Sequence, residues 1–224
     1  MDKKERNMII GFGVVAFTIL GFVYYRILKG KKPTNTNNNV PEVMDSSKTD
    51  LSKGVIVSLP ATNFANNELL IIWGGISYAT PSWVYTQIPK EVLYKYVIVI
   101  APYNLPLSAL EGVYKPFLEQ KKVNVSSTSI IGFSAGALQV QNAYSDKYKL
   151  VGLVDPSTRA NNLQLPFGSN TKMVYNERNW GGSLQTIKEL LPKLAKTISD
   201  KGGLSERLDL KHADIPKHFF QKYL

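Results

Sequence analysis

Ser134 lies at the centre of Gly132-Phe133-Ser134-Ala135-Gly136, after the apolar stretch Ser129-Ile130-Ile131 and before the helix-forming run Ala137 to Tyr144. A serine hydroxyl becomes a useful nucleophile only when it is exposed and paired with a base. A strand turning sharply into a helix strains the turn residue and exposes its side chain, and glycines two residues away on each side leave room for that turn. The helix that follows points its first N–H groups at the serine oxygen, where an acyl-transfer intermediate would develop negative charge. The spacing therefore predicts a nucleophile elbow. A tight strand-to-helix turn with no chemistry is the plainer reading of the same five residues. The chain has no cysteine, which excludes disulfides, thiolate metal sites and a cysteine nucleophile, and its two histidines are too few for a His-rich metal site.

The elements that must carry Ser134 follow from the pattern around it. From Gly54 onward, short apolar stretches alternate with amphipathic ones, which predicts an α/β class and a mostly parallel sheet covered by helices on both faces. Strands are expected over Val55 to Leu59, Leu69 to Trp73, Tyr96 to Ala101, Ser129 to Ile131, Leu150 to Val154 and Met173 to Tyr175. Ala61 to Asn67 reads as a turn-rich connection. Pro106 to Gln120 reads as a helix that Pro116 should kink or shorten, and Ser183 to Ile198 as the longest helix, bent by Pro192. The loop Pro156 to Asn170 is long enough to help form a binding mouth.

This order of strands around Gly-Phe-Ser-Ala-Gly resembles the α/β-hydrolase family, with lipase- and esterase-like features, over about residues 54–224. The resemblance implies a triad in the chain order nucleophile, acid, base. Ser134 matches the nucleophile. The base is expected after the last strand, where His212 follows Leu208-Asp209-Leu210-Lys211, with His218 as its competitor. Two carboxylates end strands on the required side, Asp155 after Val151-Gly152-Leu153-Val154 and Glu177 after Met173-Val174-Tyr175-Asn176. Val154-Asp155-Pro156 resembles the arrangement of some lipases, so Asp155 is the preferred acid and Glu177 the alternative. For the oxyanion, the family pattern implies the Ala135 N–H and a donor from Gly75 or Ile76, in Trp73-Gly74-Gly75-Ile76. Trp73 stands where lipases and esterases of this type carry histidine. No metal or organic cofactor is implied.

The rest of the 224-residue chain bears on location. Met8 to Tyr25 is an apolar run that as a helix spans roughly 27 Å, enough to cross a bilayer's hydrocarbon core. Lys3, Lys4 and Arg6 precede it, Arg26, Lys29, Lys31 and Lys32 follow, and no small-residue cleavage site comes after it. Residues 1–29 are therefore expected to form a single-pass anchor, its orientation left open by balanced flanking charge. Removal of the first 25 or so residues from a secreted hydrolase is the rival expectation. Residues 30–53, rich in Asn, Thr, Pro and Lys, read as a polar linker, and 54–224 as the catalytic domain. Half of the formal net charge of +10 falls in residues 1–32, and the remainder is scattered rather than gathered in a stripe, with no nucleic-acid motif. The reading is a membrane-anchored serine hydrolase acting on a lipid or small ester. A non-catalytic binding or structural head of the same fold, tethered to the membrane, is the alternative.

Overall fold

Along the central strands, side chains alternate between two apolar faces, the expected outcome for a pleated strand buried on both sides. The computed structural model describes residues 47–60, 67–157, 167–176 and 189–224. Eight strands form one sheet: β1 (Ser47–Asp50), β2 (Ile56–Leu59), β3 (Asn67–Trp73), β4 (Val97–Ala101), β5 (Val125–Phe133), β6 (Val151–Val154), β7 (Thr171–Asn176) and β8 (Leu204–Leu208). Their spatial order is β1-β2-β4-β3-β5-β6-β7-β8. The pairings β1–β2 and β2–β4 are antiparallel, and every pairing from β4 to β8 is parallel.

Helices α1 (Pro81–Gln87), α2 (Lys90–Lys95) and α6 (Ile215–Tyr223) cover one face. Helices α3 (Leu107–Gln120), α4 (Ala137–Ala143) and α5 (Leu191–Asp200) cover the other. In β3, Leu69, Ile71 and Trp73 join the core beneath α3 to α5, while Leu70 and Ile72 join the core beneath α1, α2 and α6. In β4, Val97, Val99 and Ala101 alternate in the same way with Ile98 and Ile100. Each fully buried Val, Leu or Ile stabilises by about 1.5–3 kcal/mol, so β4, with both faces covered, is apolar at every position.

Several expectations change. Ser47–Asp50 belongs to the sheet as its edge strand, so the linker expected to run to Lys53 ends earlier; four polar residues carry no apolar signal, and only pairing with β2 makes them a strand. β8, Leu-Ser-Glu-Arg-Leu, was likewise invisible to apolar patterning and exists through its parallel ladder with β7. Helix α3 runs through Pro116 to Gln120. Pro116 and Gly112, whose carbonyl loses its partner there, both face solvent, where water can take the missing bond. Pro192 lies in the first turn of α5, where an N–H has no helical partner to lose. The expected anchor Met8 to Tyr25, residues 30–46 of the linker and Glu177 lie outside the described residues. Among the described residues, no helix is long and apolar enough to cross a membrane.

Candidate active site

The parallel strands β3, β5, β6, β7 and β8 all end at one edge of the sheet, and the residues singled out for chemistry follow those ends. Ser134 comes directly after β5, with φ of 53°, in a short 3-10 turn, Ser134–Gly136, that leads into α4. This positive φ is strained for a residue with a Cβ and turns the side chain out of the strand direction. The flanking glycines are required by contact rather than by backbone conformation, Gly136 having an ordinary helical φ of -63°. A Cβ on Gly132 would lie 2.6 Å from Ala137 N, and one on Gly136 would lie 2.4 Å from the Gly74 carbonyl oxygen. The elbow is therefore wedged between the turn into α4 and the end of β3.

Asp155 follows β6 and also has positive φ, 41°, a conformation Asp tolerates better than most residues. Its N–H donates to the Val174 carbonyl at 2.7 Å, and its Oδ1 accepts the Asn176 backbone N–H at 2.9 Å. Asp155 Oδ2 meets His212 Nδ1 at 2.5 Å. Both side chains are largely shielded, with 8% and 19% of their surface exposed, so the pairing operates in a medium less polar than bulk water. His212 sits in the loop between β8 and α6, and its ring stacks on Phe133, the residue before Ser134, at 4.6 Å between centroids. The Ser157 N–H donates to the Ser134 carbonyl at 3.0 Å, tying the Asp155 loop to the elbow. No hydrogen bond joins Ser134 Oγ to His212 among the described residues.

His218 is engaged elsewhere. On α6 its Nε2 lies 3.2 Å from Glu206 of β8, which also accepts from Lys222 and Tyr223. Burial pushes the Glu206 carboxyl up, and these three hydrogen bonds more than offset it, holding the group below the usual range.

Around the elbow, the structure divides the roles expected of Trp73-Gly74-Gly75-Ile76. The Gly75 N–H donates to the Ala79 carbonyl at 2.9 Å, which favours Ile76 of the two expected alternatives, Gly75 or Ile76, for the second oxyanion donor. What Gly75 supplies is space, since a Cβ there would lie 2.9 Å from Ser134 Cβ. Ile76, next in the loop, is 37% exposed. Trp73 is fully buried and donates its indole N–H to the Leu105 carbonyl at 2.8 Å, which makes it a core residue.

Sequence reasoning missed two further parts of this neighbourhood. Tyr78 stands edge-on to His212 at 6.4 Å and to Trp83 at 5.1 Å, and Trp83 stacks on Phe133. Burial, then the charges of Asp155 and Asp214, push the Tyr78 hydroxyl above the ordinary phenol range. Asn176, the last residue of β7, is buried, and its Nδ2 donates to the Leu210 carbonyl. A polar residue directly after the apolar stretch Met173-Val174-Tyr175 was the available signal for Asn176.

Comparison with known proteins agrees with this architecture. The chain is similar to the siderophore hydrolase EstB from Aspergillus nidulans, at 14% identity and a TM-score of 0.50, over 85% of this chain and 98% of that one. A CIB-like hydrolase from Thermoplasma acidophilum aligns at 14% identity and a TM-score of 0.48, over 79% and 94% of the two chains. No protein-family model matches the sequence, and no curated protein matches it. At such identity the likeness is one of fold. The strand order, the sharp turn after β5 and the likeness to EstB together establish that the chain has the α/β-hydrolase fold.

Proposed function

We propose that the protein is a serine hydrolase that cleaves a carboxylic ester through an acyl-enzyme. The observation that carries this reading is the 2.5 Å pairing of Asp155 with His212, whose ring stacks on the residue preceding a serine with positive φ. In the proposed reaction His212 removes the Ser134 hydroxyl proton as the oxygen bonds to the ester carbonyl carbon. The imidazolium so formed keeps its Nδ1–H on Asp155, which holds the tautomer and stabilises the charge. The oxyanion is assigned to the N–H groups of Ala135 and Ile76. His212 then protonates the departing alkoxide, leaving the acyl group on Ser134, and water attacks by the same route to release the acid.

The likeness to a siderophore hydrolase supports hydrolysis as the reaction class. Attachment to a bilayer through residues 1–29 forms part of the proposal on the strength of the apolar run Met8 to Tyr25. Lipid esters at the membrane surface would then be within reach of the head. Resistance of the expressed full chain to alkaline extraction from membranes tests that part, and release into the soluble fraction would sink it.

The experiment for the chemistry is labelling of the full chain by a fluorophosphonate probe. Wild type should label, while Ser134→Ala and His212→Ala should not. A well-folded wild type that fails to label would turn the reading to a non-catalytic binding head in which the elbow is only a turn.

A further inference from the structure

Asp155 and His212 follow β6 and β8, which are not neighbours in the sheet, because β7 runs between them. Two strand spacings separate those strand ends by about 10 Å, further than an Asp–His pair can span if each simply continues its own strand. Both loops must lean over the end of β7. The residue found there is Asn176, in register with Leu208 and only 2% exposed. It holds both loops at once: the backbone N–H donates to Asp155 Oδ1 at 2.9 Å, and the side-chain Nδ2 donates to the Leu210 carbonyl, two residues before His212. One arm carries the acid and the other carries the base.

We infer that Asn176 is a positioning residue, which draws the His212 loop across β7 to the acid and so sets the Asp155–His212 distance. The inference rests on the reading of those two residues as acid and base. The arms differ in chemistry, and that makes them separable. The Asp155 arm is backbone and survives any side-chain change, whereas the Leu210 arm needs an amide donor. Asn176→Ala removes that donor. Asn176→Asp keeps the shape but sets a carboxylate against a carbonyl oxygen, two acceptors with no proton between them when ionised.

The test reads the proton on His212 Nδ1 by NMR in the full chain, since a proton in a short bond to a carboxylate resonates far downfield. Thermal melts check folding, and fluorophosphonate labelling is followed against pH. In both variants the downfield resonance should be lost or moved, and the labelling rate constant should fall roughly 10- to 100-fold, as misplacement of an active-site group by about 1 Å can do. Probe affinity should stay near wild type. Folded variants that keep the wild-type resonance and labelling rate would overturn the inference. Should neither variant fold, hydrogen exchange in the wild type decides: the Asn176 amide protons and the His212 ring proton should exchange together, and independent exchange refutes the coupling. A resonance that depends on Asn176 in a chain that never labels would keep the positioning role and remove the hydrolase reading. Labelling with no such dependence would do the reverse.

Discussion

Gly75→Ala is the sharpest perturbation of the proposed nucleophile. The added methyl would lie 2.9 Å from Ser134 Cβ, 3.0 Å from Ala79 Cβ and 3.4 Å from Ser134 Oγ. Carbon atoms prefer separations of about 3.5–4.0 Å, so the loop or the elbow must give by roughly 0.5–1 Å. The elbow has little room to retreat, because Gly136 is already packed against the Trp73 and Gly74 carbonyls. Overpacking of this kind costs about 1–3 kcal/mol in stability. The kinetic effect should be larger, since moving a reacting group by about 1 Å can lower a rate ~100-fold. Gly112→Ala is the matched control. No atom lies within 4 Å of its new Cβ, and it occupies the exposed interior of α3, where alanine should stabilise by roughly 0.5–1 kcal/mol. The assay is the second-order rate of fluorophosphonate labelling, with thermal melts on the same samples. A folded Gly75→Ala that labels at the wild-type rate refutes the close approach of this loop to a working serine.

Other expectations follow from single contacts. Asp155→Asn leaves His212 without its charged partner and should lower ester turnover by ~10⁴-fold, a loss typical of triads whose acid fixes the histidine tautomer; turnover within tenfold of wild type would reassign the acid. Glu206 has a lowered folded pKa, so its contribution is complete above the ordinary Glu value near ~4.3 and is lost as pH falls through the depressed value. Urea unfolding across acid pH should show that loss in wild type and a weaker dependence in Glu206→Gln. Tyr223, raised to about 12 by burial and then by its bond to Glu206, contributes below the ordinary Tyr value and loses that contribution as pH rises towards 12. Tyr223→Phe should flatten that alkaline limb in part, leaving the shares of Tyr144, also raised to about 12, and of Tyr114, Tyr148 and Tyr78, whose hydroxyls burial raises too. Trp73→Phe removes the donor to the Leu105 carbonyl and should cost about 1–3 kcal/mol in chemical denaturation.

Local chain chemistry was enough to find the elbow and the central strands. A Gly-x-Ser-x-Gly after Ser129-Ile130-Ile131 signals a sharp strand-to-helix turn, and Val97–Ala101 is apolar at every position because both its faces are covered. Asp155 and His212 were singled out by the resemblance to the α/β-hydrolase chain order rather than by local pattern, and the structure brings the two side chains together. β1 and β8 were not legible: Ser-Lys-Thr-Asp and Leu-Ser-Glu-Arg-Leu have no apolar period, and their backbones become strands only when a neighbour supplies the ladder. The bond made by the Gly75 N–H was not legible for a related reason. Its N–H is claimed by Ala79, four residues on, through a turn that residue types do not specify.

Which residues could do chemistry was therefore written in the chain, since types, spacing and apolar runs are local properties. How those residues meet was decided only by the folded sheet. Asp155 and His212 are 57 residues apart in sequence and pair across the end of an intervening strand. Their pairing depends on Asn176, on the positive φ of Asp155 and on a ring stacked against Phe133, all of which are properties of packing.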